Sequence, residues 1–232
     1  LFDGDQPPAA ESAKADARDR GTASRISPWL FVWAAGALGA GLIALCRRWV
    51  FLRQLRRAAV LECPDIESHL AELASRLRVR RQVDLVVTAG RFGPAVIGLL
   101  RPCILLPELV IRGKRPEQLE MVLAHELIHV RRGDLWLGSL QLLAKAIWWF
   151  YPPVWWVCRH STQQVERCCD EAVIAELGCP PKAYARSLLE ILETKQQLRS
   201  IPSFPGMKPV EVTSHRLERI MKLGHGCRKR TP

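Results

Sequence analysis

Two histidines four residues apart, with a glutamate beside the first, are the residues of this chain best suited to chemistry. His125-Glu126-Leu127-Ile128-His129 has the pattern H-E-x-x-H, and positions i and i+4 of an α-helix lie on one face. Both imidazoles can then reach a single Zn²⁺, as in the zinc peptidases. Glu126 is the predicted general base, acting on a water that zinc has acidified. The alternative is a chance spacing of two core histidines, which is disfavoured because the chain has only 6 His.

The residues around the motif predict that it lies on a helix. Pro116 suits the first turn of a helix, and Glu117 and Glu120 oppose the positive helix N-terminus. Apolar residues recur at helical spacing and predict one buried face: Leu119, Val122, Leu123, Leu127 and Val130.

A small β-sheet is predicted directly before this helix. After an amphipathic helix over 64–79 the period changes, and short strands are predicted over 83–88, 95–98 and 103–106. We therefore expect an α+β fold that is mainly helical. The sheet either only supports the helix or aligns an extended peptide along an edge strand, and the sequence leaves both readings open.

A catalytic zinc site needs a third protein ligand and one open position. Glu166 and Asp170 are four residues apart, so they share a face of a predicted downstream helix. A carboxylate from this helix would complete the site, and Asp170 could accept the free N–H of a zinc-bound histidine. Glu171 and Glu176 are alternative ligands. The competing interpretation of all these residues is a solvated acidic helix surface.

The N-terminal part of the chain predicts a membrane anchor. Residues 1–27 lack an apolar period and are predicted to be a disordered linker. Residues 29–46 carry no charge and would form a helix about 27 Å long, enough for the hydrocarbon core. We predict a transmembrane helix over 28–50. Arginines follow it at once, which places this end in the cytoplasm.

A second apolar stretch, 135–158, has Lys145 as its only charge and is interrupted by Pro152-Pro153. If His129 and a ligand beyond residue 160 hold the same ion, the chain must leave the site and return to it. We therefore predict a helical hairpin over 135–160 that dips into the membrane or lies on it, with the prolines at its tip. The alternative is a soluble hairpin with a buried apolar face.

Composition favours a membrane-associated protein over a nucleic-acid binder. The 232 residues carry a net charge of +11, but the positive residues occur in short clusters beside apolar runs. The 8 Cys are scattered without a C-x-x-C pair, which predicts reduced thiols in a cytosolic domain, assigned to 51–232. The chain begins with Leu1 rather than Met, as expected of a fragment or a processed chain.

Taken together, these motifs resemble the membrane-embedded gluzincin peptidases of the BlaR1/MecR1 antirepressor type, peptidase family M56. The similarity covers about residues 28–225 and rests on these segments: Leu99-x-Arg101-Pro102, Leu105-Leu106-Pro107, Leu123 to His129, Arg131 to Asp134, Phe150-x-Pro152-x-Val154-Trp155, and Glu166-x-x-x-Asp170 with Cys169.

The resemblance implies a role for each candidate residue. His125, His129 and Glu166 would be the zinc ligands. Glu126 would be the general base, and Asp170 would be the hydrogen-bond partner of a ligand. Asp134 matches a family position to which we assign a structural hydrogen-bonding role.

The resemblance also implies a function. It predicts a membrane-anchored zinc endopeptidase of the cell inner membrane, with its protease domain facing the cytoplasm, that cleaves itself or a transcriptional repressor after a signal. The expected partners are a protein substrate, the lipid bilayer and further transmembrane helices, and no nucleic acid. The alternatives are a non-catalytic zinc-binding regulator and a housekeeping membrane protease of the Ste24/HtpX type.

Overall fold

The computed structural model describes residues 28–57, 60–61, 63–89, 93–112, 114–197 and 216–222, which are mainly helical with one small sheet. In chain order the elements are α1 Pro28–Arg57, β1 Val60–Leu61, α2 Pro64–Arg76, β2 Asp84–Thr88, β3 Ala95–Ile97, β4 Cys103–Pro107, α3 Glu108–Ile111, α4 Pro116–Arg132, α5 Asp134–Ile147, α6 Pro152–Leu177, α7 Pro181–Gln197 and α8, residues 216–222. The linker predicted over 1–27 lies outside the described residues.

The sheet has the strand order β1-β2-β4-β3, with β2 and β4 parallel and the outer pairs antiparallel. The three predicted strands are present to within one residue at each end. The two-residue strand β1 was not predicted, since it is too short to show an alternating pattern. Gly98 ends β3 at a φ of +87°, and a Cβ there would lie 2.1 Å from the Arg101 carbonyl oxygen. The turn into β4 therefore requires glycine.

The core lies between this sheet and the helices α2 and α4, and buried residues of α6, α7 and α8 complete it. The apolar face predicted for α4 is buried against the apolar face of α2, which confirms the helical period of both segments. The central strand β4 is buried as well, as expected for a strand with neighbours on both sides. The fully buried residues of the core include Leu73, Leu77, Ile104, Leu106, Leu119, Leu123 and Leu127.

Gly133 sets the direction in which the chain leaves α4. Its φ of 74° and ψ of 27° are left-handed, and it serves both as the C-cap of α4 and as the residue before α5. A left-handed residue at this position commonly ends a helix. As a result Asp134, the first residue of α5, lies within hydrogen-bonding distance of the last turn of α4.

Helices α5 and α6 form a hairpin joined by residues 148–151. The arms have 14 and 26 residues and are linked by side chains, since Gln141 accepts from the Thr162 hydroxyl at 3.2 Å and donates to Ser161 at 3.1 Å. The two prolines occupy the first turn of α6, just after the tip, where their missing N–H groups cost no helical hydrogen bond. The placement of this hairpin in a membrane stays a prediction.

Helix α1 is, among the described residues, the one helix long and apolar enough to cross a membrane by its length and composition, over Pro28–Gln54. It contacts the hairpin at its tip. The Trp33 indole N–H donates to the Ile147 carbonyl at 2.9 Å, and the Trp149 indole N–H donates to the Trp33 carbonyl at 3.4 Å. A Cβ at Gly36 would lie 2.2 Å from the Trp149 ring, so the absence of a side chain lets the two elements meet.

Candidate metal centre

Helix α4 brings the two histidines of the motif together. The Nε2 atoms of His125 and His129 lie 3.2 Å apart, and the two rings meet edge to face with centroids 4.7 Å apart. Glu126 lies beside the first histidine and is buried, with 9% of its surface exposed. The i and i+4 spacing therefore presents two ring nitrogens at one point, as the sequence predicted.

Helix α6 brings a carboxylate to the same point. The Glu166 Oε2 atom lies 3.5 Å from His125 Nε2, and its Oε1 atom lies 3.7 Å from His129 Nε2. Zinc binds nitrogen and oxygen donors at about 2.1 Å, so the ligands of a tetrahedral site lie about 3.4 Å from one another. The three measured separations are close to this value, and the donor set fits a zinc ion.

The alternative carboxylates of α6 face elsewhere. Glu171 accepts from Arg167 at 2.8 Å, one helical turn away on the same helix. Glu176 accepts from Arg131 at 2.9 Å. Both ion pairs are partly exposed, and neither carboxylate belongs to a described group that could hold a metal together with His125.

Asp134 contacts the second histidine. The Nδ1 atom of His129 donates to Asp134 Oδ2 at 2.8 Å, and the Nε2 atom of the same ring faces Glu166. The Cys169 thiol lies 3.5 Å from the same carboxylate oxygen, and Arg132 lies 3.4 Å from it. A hydrogen bond of this kind fixes the tautomer and the orientation of a metal-binding histidine.

Asp170 reaches the first histidine through a residue that the sequence did not identify. The Tyr184 hydroxyl donates to Asp170 Oδ1 at 2.7 Å and lies 3.1 Å from His125 Nδ1, from which it can accept. The direct distance from His125 Nδ1 to Asp170 is longer, at 3.4 Å. Tyr184 is 1% exposed. It lies in the first turn of α7, and a buried tyrosine usually has a hydroxyl partner.

Arg216 is the second residue that the sequence did not identify. Its Nη1 atom donates to Glu166 Oε2 at 2.9 Å, while its Nη2 and Nε atoms donate to the two oxygens of Asp170 at 2.7 and 3.0 Å. Residues 216–222 are helical, and the apolar residues of this short helix are Leu217 and Ile220. Nothing in that pattern could indicate which partners an arginine at its start would have.

Comparison with known proteins decides the family. The family described as BlaR1 peptidase M56 matches this chain over residues 7–223. The chain belongs to this M56 family. Methicillin resistance mecR1 protein of Staphylococcus aureus is 24% identical over 206 residues, which make up 85% of this chain and 34% of that protein. Regulatory protein BlaR1 of Bacillus licheniformis is 31% identical over 176 residues, 75% of this chain and 29% of that protein.

The M56 resemblance predicted from the motifs is thus confirmed, and with it membership of a peptidase family. The chain spans about a third of the length of the curated relatives it matches. The membrane location predicted for it is supported by the apolar helix α1 together with these relatives.

In the absence of metal, neighbouring groups favour the charged forms of two side chains of the M56 site, His129 and Glu166. Burial is the largest single influence on His129 and lowers its pKa. The hydrogen bond with Asp134 leads the opposing influences, which together raise this pKa to about 11. Burial also raises the pKa of Glu166, but the hydrogen bond with His125 and the charge of Arg216 hold it well below its usual range. A cation that enters therefore meets an ionised carboxylate and must displace a proton from an imidazole.

Proposed function

We propose that this M56 chain is a membrane-anchored, gluzincin-like zinc endopeptidase. In this proposal His125, His129 and Glu166 hold the zinc ion, and Glu126 is the general base. The observation that supports it most strongly is the meeting of two imidazole nitrogens from α4 and the two oxygens of one carboxylate from α6 at separations of 3.2 to 3.7 Å. The donors are neutral imidazoles and a carboxylate, the set used by catalytic zinc sites that keep one position open.

Zinc at this site would supply Lewis-acid chemistry, acidifying a water and polarising the scissile carbonyl. Glu126 takes the proton of the attacking water and passes it to the leaving amine. Its carboxylate is close enough to His129 to contribute to the raised pKa of that imidazole. Asp134 orients one histidine, and Tyr184 with Asp170 orients the other, so that both Nε2 atoms stay directed at the ion.

The surroundings of the site are suited to a peptide substrate. Strand β3 is at the edge of the sheet and contacts α4. An extended peptide could pair with such an edge through its backbone and lie across the histidines. Because the similar proteins are named as regulatory and resistance proteins, we propose that the substrate is this protein itself or a cytosolic repressor.

We propose that α1 crosses the inner membrane and that the protease domain faces the cytoplasm. Arg47, Arg48 and Arg53 follow the apolar part of α1, and positive residues favour the cytoplasmic side. The hairpin would lie in or on the same bilayer, since its large apolar side chains are exposed: Trp136, Leu140, Leu143, Trp148, Phe150, Trp155, Trp156 and Val157.

The substitution Glu126→Gln tests the mechanism. We expect the variant, in the purified full chain, to keep stoichiometric zinc and to lose peptide cleavage, because the amide retains the shape but cannot accept the proton. Glu117→Gln is the matched control, since Glu117 is exposed on the same helix. Full cleavage by the Glu126 variant would reject the assignment of the base. Stoichiometric zinc in the wild type without cleavage of any peptide would favour a non-catalytic zinc-binding regulator.

A further inference from the structure

We infer that Arg216 is a positioning residue that makes Glu166 bind the metal through one oxygen only, so that α8 completes the metal centre. This inference rests on the zinc site proposed above. It concerns a residue that the sequence motifs do not include and that lies 50 positions beyond Glu166 in the chain.

The guanidinium of Arg216 bridges two carboxylates of α6. Glu166 and Asp170 are one helical turn apart, and Arg216 donates to one oxygen of the first and to both oxygens of the second. The side chains of Arg216, Glu166 and Asp170 are 17%, 19% and 5% exposed, respectively. Three N–H groups of a planar guanidinium are thus used in one fixed orientation, which a flexible ammonium cannot reproduce.

This contact distinguishes the two oxygens of Glu166. Oε2 accepts from Arg216 at 2.9 Å and lies 3.5 Å from His125 Nε2, whereas Oε1 lies 3.7 Å from His129 Nε2 and does not contact the guanidinium in the described contacts. A carboxylate that bound zinc with both oxygens would fill the position that a catalytic site leaves open. By occupying Oε2, Arg216 would leave Oε1 as the oxygen available to the metal and would keep the fourth position for water.

The position of Arg216 is fixed by packing of the helix that carries it. Ile220, four residues later on α8, is 1% exposed and belongs to the hydrophobic core, and Leu217 packs against that core. The guanidinium also reaches to within 3.4 Å of His125 Nε2. The affinity of the site for zinc therefore depends on the docking of α8, although α8 contributes no ligand.

The test compares zinc binding by the wild-type full chain with that of Arg216→Lys and Arg216→Gln, using chelator competition. Changes in the hydrogen-bond partners of a ligand typically alter metal affinity by about 10- to 100-fold, and we expect a loss in that range for both variants. Lys222→Gln is the matched control, because it removes a positive charge from the same helix at an exposed ion pair. It should bind zinc as the wild type does.

A second measurement reports the coordination itself. Replacing zinc by Co²⁺ gives an absorption spectrum whose visible bands weaken as the coordination number rises above four. We expect weaker bands in Arg216→Lys and Arg216→Gln than in the wild type, because Glu166 can then bind with both oxygens. Circular dichroism establishes that each variant is folded, and the lysine variant, which keeps the charge, decides the matter if the glutamine variant does not fold.

Three outcomes are distinguishable. Wild-type zinc affinity in the lysine variant overturns the role of Arg216 and leaves the proposed zinc site intact. Weaker zinc binding with an unchanged Co²⁺ spectrum overturns the one-oxygen part of the inference. Failure of the wild type to bind zinc at all overturns the proposed function, on which the inference rests.

Discussion

Two regions of the molecule differ in which side chains they bury and which they expose. One is the tryptophan-rich tip of the hairpin, and the other is the site cluster, formed by His125, His129, Glu166, Asp170, Tyr184 and Arg216. In the cluster, charged and polar side chains are withdrawn from water and find their partners within the protein. At the tip, large apolar side chains remain exposed, with Trp156 68% and Trp136 52% exposed. The polar side chains of the site cluster are partnered within the protein, whereas the large apolar side chains of the tip remain exposed, as is typical of surfaces that bind a partner or a membrane.

The two regions are joined by the same helices. Helix α6 carries exposed tryptophans in its first turns and Glu166 farther along, within one continuous helix of 26 residues. Helix α5 begins with Asp134, which contacts His129, and ends where Trp33 of α1 accepts and donates hydrogen bonds. One helix therefore runs from the tip to the Glu166 carboxylate, and another runs from the tip to the Asp134 carboxylate beside His129.

The largest effect is expected from replacing Glu166, the proposed zinc ligand on the helix that also carries tryptophans of the tip. Glu166→Ala should lose stoichiometric zinc and with it all cleavage, since two imidazoles alone do not make a catalytic zinc site. Elemental analysis of the purified protein measures the metal. Glu171→Ala is the control, because Glu171 is partly exposed and pairs only with Arg167 in the described contacts. Zinc retained by the Glu166 variant would place the third ligand elsewhere.

Breaking the buried ion pair should be the next largest effect. Asp170→Asn leaves Arg216 buried without its bidentate partner, and losing one member of a buried pair typically costs about 3–5 kcal/mol of unfolding free energy. Thermal unfolding measures the loss. Lys222→Ala breaks an exposed pair with Glu218 and should cost at most about 1 kcal/mol. Equal effects of the two substitutions would contradict the distinction between buried and exposed charges.

A substitution in α1, where this helix contacts the tip, should lower the stability of the protein and leave its zinc content unchanged. Gly36→Ala places a Cβ 2.2 Å from the Trp149 ring, and overpacking of this kind costs about 1–3 kcal/mol. Gly41→Ala is the matched control on the same helix, because a Cβ there meets nothing within 4 Å. We expect a lower unfolding temperature for the first variant only, and unchanged zinc content in both. Loss of zinc from Gly36→Ala would show that the two regions are coupled more tightly than the contacts indicate.

The smallest effect is a pH dependence of zinc uptake. The pKa of His129 in the metal-free protein is raised to about 11, above its value of about 6.5 in an unfolded chain. The stabilisation from the protonated imidazole is complete below about pH 6.5 and is lost as the pH rises through the folded pKa. Zinc must displace this proton, so its apparent affinity should rise about tenfold for each pH unit below the folded pKa.

Competition with a chelator at several pH values measures this slope. The Gly36→Ala variant should show the same slope as the wild type, because Gly36 contacts the tip and lies outside the site cluster. A zinc affinity that does not change with pH would contradict a protonated His129 in the metal-free site.

Much of the fold follows from local patterns. The three strands were predicted to within one residue at each end, and the histidines were predicted to lie on a helix with one buried face, because the period of apolar residues reports which face is buried. The pairing of His125 with His129 was also predictable, since one turn of a helix is a fixed geometry. The same holds for placing Glu166 and Asp170 on one face of a helix.

What the sequence by itself determined is the chemistry available within each helix and the family to which the chain belongs. Only the tertiary structure decided that Tyr184 stands between His125 and Asp170, and that Arg216 joins two carboxylates from 46 or more positions away. Contacts inside a helix follow from its period, but contacts between helices depend on how the whole core packs, and no local pattern encodes that packing.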